Sequence, residues 1–136
     1  MSKKPIFFIL IFAVLFIVIY FIFYNLLLVD VTILKYDFRV SDHIGFNADT
    51  DLLHFGSVLS GSFAKRSFTV SNIKCKLCKV IIEVKGDNKN WISLTDYSFN
   101  IYGNETKAVL ATLNVPADAK SGNYSGYFVI YFWKVI

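Results

Sequence analysis

No charged residue interrupts the chain between Lys4 and Asp30, where nearly every position is Ile, Leu, Phe, Val or Tyr. The lack of a polar stripe excludes a helix lying on a globular core, which keeps one face wet. Small residues are lacking too: Ala13 is the only one, and the run ends Tyr-Asn-Leu-Leu-Leu-Val. That argues against a cleaved secretory signal, whose apolar part spans roughly 7–15 residues and closes on small side chains. Histidine and cysteine are scarce, at two each. No second Cys pair and no suitable His pair completes a zinc set. The basic residues form no run, and the net charge of +4 falls to about +2 once Lys3 and Lys4 are set aside, too mild to argue for nucleic acid.

What is there begins with that run. As a helix rising about 1.5 Å per residue, residues 5–29 reach about 37 Å, enough to cross a hydrocarbon core about 30 Å thick. The expected organisation is a tip at 1–4, a transmembrane signal-anchor helix at 5–29, and one domain at 30–136. Lys3 and Lys4 precede the span, while the other flank mixes Asp30, Lys35, Asp37, Arg39 and Asp42. The positive-inside rule then places the N-terminus in the cytoplasm and the domain outside the cell membrane. Tyr20 and Tyr24 fall toward the outward end, at headgroup level.

Beyond Asp30 the apolar period is two, not 3.6, and no helical stretch is expected. Leu34, Tyr36, Phe38 and Val40 alternate with Lys35, Asp37 and Arg39. Phe68 and Val70, then Val80, Ile82 and Val84, mark further faces, with short strands near Trp91–Leu94 and Ser98–Ile101. Val109, Ala111, Leu113 and Val115 make a strand stopped by Pro116, and the last strand runs from about Tyr124 to Val135. About seven short strands between turn signals predict an all-β, immunoglobulin-like antiparallel β-sandwich behind the N-terminal transmembrane helix. In residues 53–61, Leu-His-Phe-Gly-Ser-Val-Leu-Ser-Gly, the glycines are read as marking a strand end and turn. Residues 115–126 read Val-Pro-Ala-Asp-Ala-Lys-Ser-Gly-Asn-Tyr-Ser-Gly, a Pro-started crossover into an aromatic strand. In it Tyr124 suits a corner role, its ring packed and its hydroxyl bonded to nearby backbone.

These two segments resemble the small archaeal and bacterial Ig-like domains that follow a membrane anchor or a cell-surface stalk. Those domains carry a Phe-Gly-x-Val-x-x-Gly turn and a Val-Pro-x-Asp-Ala-x-x-Gly-x-Tyr-x-Gly segment before the last strand. The resemblance spans most of residues 48–130 and implies the fold. It is nearly silent on function, since such modules host adhesion, assembly and scaffolding alike. The chain departs from immunoglobulin domains proper in having no Cys…Trp…Cys inter-sheet spacing.

Chemistry-bearing residues are few. Cys75-Lys76-Leu77-Cys78 lacks the βαβ setting of a redox pair. Outside the cytoplasm a local disulfide between Cys75 and Cys78 is the leading expectation, with free thiols, inter-chain metal bridging and redox activity as alternatives. His43 and His54 are expected in turns or at the surface. Asn47, Asp49 and Asp51 alternate as in a calcium loop, but Leu52 and Val58 stand where that loop needs Gly and Glu, so an Asx-rich turn serves equally. Asn104-Glu105-Thr106 and Asn123-Tyr124-Ser125 are glycosylation sequons in expected turns. No catalytic residue, cofactor, metal or small-molecule substrate is expected.

The C-terminal strand is apolar on both faces, with Tyr127, Val129, Tyr131, Trp133 and Val135 on one and Phe128, Ile130, Phe132 and Ile136 on the other. A sandwich strand normally leaves one face to water. Its outer face should therefore be covered by the chain's own loops or juxtamembrane segment, by lipid, or by a partner subunit or strand addition across an open edge. The expected function is non-enzymatic: an envelope protein in the bilayer whose external domain binds another envelope protein or self-associates. The alternative is an accessory or structural subunit of a pilus- or archaellum-like surface filament. Against a processed pilin, Pro5 precedes the apolar run and no Gly stands at the junction.

Overall fold

The computed structural model describes residues 4–43, 45 and 52–136. Helix α1 (Lys4–Leu27) leads without a linker into strand β1 (Leu28–Val40). There follow β2 (Leu53–Val58), β3 (Phe63–Ser71), β4 (Leu77–Lys85), β5 (Ile92–Leu94), β6 (Ser98–Tyr102), β7 (Thr106–Asn114) and β8 (Gly122–Lys134). They form a five-stranded sheet, β2-β1-β8-β4-β6, facing a three-stranded sheet, β3-β7-β5. The β-sandwich behind an apolar helix is thus the architecture. It has eight strands rather than about seven, and a 3₁₀ turn at Lys89–Trp91 takes up Trp91, expected in a strand.

α1 is long and apolar enough to cross a membrane and buries none of its residues. It stops at Leu27, two residues before the expected boundary, because Leu28 and Asp30 already pair with Trp133 and Phe132 of β8. Val29, Val31, Thr32 and Ile33 are β-branched and fit the pleated sheet better than a helix. From there β1 pairs antiparallel with β8 as far as Val40 opposite Gly122.

On its other side β1 pairs with β2 in parallel, a departure from the all-antiparallel expectation. Parallel neighbours need a connection of about a dozen residues or more, and residues 41–52 supply it. Of residues 53–61, read as a strand end and turn, Leu53–Val58 are β2, and Gly61, at φ 77°, lies in the turn that follows it. Between the pairs Asp37–His54 and Arg39–Ser57, β2 carries two residues against one on β1. Gly56, at φ 80°, sits in that bulge, in the left-handed region open to glycine.

Tyr36, Phe38 and Val40 of β1, Val80 and Ile82 of β4, Val109 and Leu113 of β7, and Phe128 and Ile130 of β8 all point inward and are buried. Phe128 lies 5.0 Å from Tyr36 and 5.2 Å from Phe68 between ring centroids, joining the two sheets. Side chains of this size contribute about 1.5–3 kcal/mol each when fully buried.

Candidate interaction face

Alternation on β8 sends Phe128, Ile130 and Phe132 into the core, so three of the seven residues expected to form an interaction strand are unavailable. Tyr127, Val129, Tyr131 and Trp133 take the opposite face. Residues directly opposed across an antiparallel pair share a face. On β1 these partners are Leu28, Val31, Ile33 and Lys35; on β4 they are Lys79, Ile81, Glu83 and Lys85. The outer face of the five-stranded sheet is therefore an aromatic and aliphatic band with a lysine-rich rim.

Ile33 is 61% exposed, and Val31 and Tyr127 are 41% and 42% exposed. Val129 is buried among larger neighbours on its own face. From the chain's own juxtamembrane side, Tyr24 of α1 meets Trp133 edge-on at 4.8 Å. Strand addition to β8 is ruled out, since β1 and β4 bond both its edges; the sheet's edges are β2 and β6. On the rim, Lys85 Nζ lies 2.7 Å from Glu83 Oε2, and that bond raises the lysine's pKa.

The end of the sandwich nearest α1 gathers the start of β1, the loop at 72–76, the β6–β7 turn and the end of β8. Asn72, almost fully buried, organises it. Its side-chain amide donates to the carbonyls of Cys75 and Ile101, and its Oδ1 accepts from the amides of Lys74 and Cys75. Cys75 and Cys78 are joined as a disulfide with Cα atoms 6.0 Å apart, closing the entry to β4. Lys74 Nζ sits 3.0 Å from Asp30 Oδ2 and, chiefly by this hydrogen bond, holds the carboxyl below its usual pKa.

At the far end Tyr124 takes the corner role: its ring stacks on Phe38 at 5.2 Å and its hydroxyl donates to the Lys120 carbonyl at 2.6 Å. Of the two histidines, His43 is exposed as expected, but His54 is a buried residue of β2. Its Nδ1 lies 2.5 Å from Asp37 Oδ1, and its carbonyl accepts from Arg66 Nε of β3, tying edge strand β2 to both sheets. Of the sequons, Asn104 holds φ 62° in the β6–β7 turn, whereas Asn123 belongs to β8 instead of a turn; both are exposed. Asn47, Asp49 and Asp51 lie outside the described residues. Sequence pattern had not singled out Asn72, the Asp37–His54 pair, or Val31, Ile33 and Ile81 of the outer face. A β-branched run directly after the apolar span is the signal that would have found Val31 and Ile33; Ile81 is placed on this face only by its register with Tyr131.

No family model and no curated protein matches the sequence. Among solved structures the chain is similar to the DaaE adhesin, with TM-score 0.52 and 11% identity over 77% of this chain and 97% of that one. The DraE adhesin in complex with chloramphenicol succinate gives TM-score 0.49 at 13% identity, over 77% and 96%. The AfaE-3 adhesin from Escherichia coli gives 0.46 at 11%, over the same shares. At such identities the DaaE likeness speaks for the fold alone.

Proposed function

We propose that this chain is a single-pass membrane protein whose external sandwich binds another protein, or further copies of itself, through the outer face of the five-stranded sheet. The observation that carries the reading is the apolar band of Val31, Ile33, Tyr127, Tyr131 and Trp133, which Tyr24 of α1 meets at its Trp133 end. Aromatic centres with charged rims are how protein interfaces are composed. α1 supplies a bilayer anchor, and Lys3 and Lys4 favour a cytoplasmic N-terminus. The role is non-enzymatic.

A second reading, a subunit of a surface filament, is favoured by the fold likeness to the DaaE adhesin. One experiment addresses both. A photo-crosslinking amino acid at Tyr131, in intact membranes, is compared with the same probe at Lys65, which is exposed on β3 of the other sheet. A discrete adduct with an envelope protein supports a binding module, and a ladder of self-adducts supports assembly. Protein adducts no stronger at 131 than at 65 would sink the face as an interaction site.

A further inference from the structure

The loops nearest α1 carry a chemistry that the outer face does not. Ile73 and Tyr102 are 78% and 66% exposed, large apolar side chains standing out at one end of the sandwich. Lys74, Lys76 and Lys134 are exposed beside them. Two acids share this end. Asp30 is engaged by Lys74, and Glu105 Oε2 accepts the Tyr102 amide inside the β6–β7 turn. Lys76 and Lys134 thus remain to meet an anion.

The end is held close to the helix. Asp30, three residues past Leu27, is bonded to Lys74 of the 72–76 loop, and Trp133 packs on Tyr24 within α1. The loops are also tied to one another: the Gly103 amide donates to the Lys76 carbonyl at 2.8 Å and the Asn104 amide to the Asn72 carbonyl at 2.7 Å. With α1 in a bilayer, no linker separates these loops from the headgroup layer.

We infer that this end of the sandwich rests on the membrane surface, with Ile73 and Tyr102 set into the interface and Lys76 and Lys134 on anionic lipid headgroups. Aromatic and aliphatic side chains ringed by lysine are suited to that boundary, and lysines near it are drawn to anionic lipid. The inference rests on the anchor role proposed for α1. It adds that the domain is seated on the bilayer and does not swing above it, which leaves the outer face of the five-stranded sheet in a fixed attitude.

The test uses the full chain in vesicles of phosphatidylcholine and phosphatidylglycerol, with and without brominated acyl chains that quench indole at short range. Trp91, packed on Phe38 and Tyr124 at the far end, is the internal control and is isolated by Trp133→Phe. In a Trp91→Phe, Trp133→Phe background, Ile73→Trp and Tyr102→Trp each place one indole on the proposed contact. Both should lose about half their emission or more in brominated vesicles, Trp91 should be unaffected, and the loss should shrink in phosphatidylcholine alone. Thermal melts matching the parent confirm that the exposed substitutions leave the fold intact. Emission at 73 and 102 as insensitive as at 91, with the chain resisting alkaline carbonate extraction, overturns the inference and leaves the anchor standing. Extraction by carbonate would refute the anchor itself. Emission that ignores bromine but changes with the protein-to-lipid ratio assigns this end to a second copy and likewise overturns the inference.

Discussion

The Tyr36 hydroxyl donates to the Lys85 carbonyl at 3.1 Å across β8, and it can do so because its register partner there is Gly126. A Cβ at position 126 would fall on the Tyr36 hydroxyl and on the Lys85 carbonyl. The ring itself is buried against Phe55 and Phe128, and burial pushes the hydroxyl's pKa up. Gly126→Ala should cost about 1–3 kcal/mol, the range for overpacking a filled site. Tyr36→Phe alone should cost about 1 kcal/mol for the lost hydrogen bond. The double variant should be less destabilised than the two costs added, since Phe removes the nearest of the three atoms the new methyl meets, the Tyr36 hydroxyl, and leaves the ring carbon and the Lys85 carbonyl. Urea unfolding of the four chains checks this, and strict additivity would show that the two sites do not share the space. Sequence pattern marked Tyr36 as an inward residue of an alternating strand, but its dependence on Gly126 lies between positions 90 apart and leaves no local trace.

Among elements, the strands with clean alternation were legible: inward Val109, Ala111 and Leu113 of β7 are all fully buried. The helix-to-strand boundary was not, because Leu28 and Val29 continue the apolar run and only their pairing with β8 takes them from the helix. Nor was the parallel partnership of β1 and β2, since direction of pairing is a property of two strands and of the connection between them. The candidate face was half legible for a similar reason: composition showed that β8 is apolar on both sides, while its neighbours Ile33 and Ile81 needed the register. The 72–76 loop was seen only as a turn with two cysteines, although buried Asn72 meets four backbone groups there. Asn72→Ala would leave the carbonyls of Cys75 and Ile101 and the amides of Lys74 and Cys75 without that partner. Orphaned buried groups cost about 1–3 kcal/mol each, moderated where water enters. A loss of about 2–4 kcal/mol is expected in thermal or chemical unfolding, exceeding the loss from reducing the disulfide. That bond closes a very short loop, for which chain entropy gives about 2 kcal/mol at most. The reverse ranking would make the disulfide the organiser of this end.

At the scale of the whole molecule, β1 is both the continuation of α1 and an interior strand of the larger sheet, flanked by β2 and β8. A chain starting at residue 28 should therefore fold and melt cooperatively, while one starting at residue 41 should not. The shorter chain loses Tyr36, Phe38 and Val40 from the core and unpairs one edge of β8 along its length, leaving β8 bonded to β4 alone. At about 1.5–3 kcal/mol per large buried side chain, the loss rivals the 5–15 kcal/mol that typically separates folded from unfolded. Circular dichroism melts of the two chains decide it; a cooperative transition from residue 41 onward would show β1 to be dispensable. The passage from Leu27 into Leu28 without a linker also has a mechanical meaning. With α1 in a bilayer, as proposed, tension between it and anything the domain holds would enter along the axis of β1. Sheet hydrogen bonds lie across that axis, so the rows shared with β8 and β2 are loaded in shear, all together, instead of being peeled apart in turn. In that setting a bilayer would hold the domain by an inner strand, and the hold would resist best a pull along that strand.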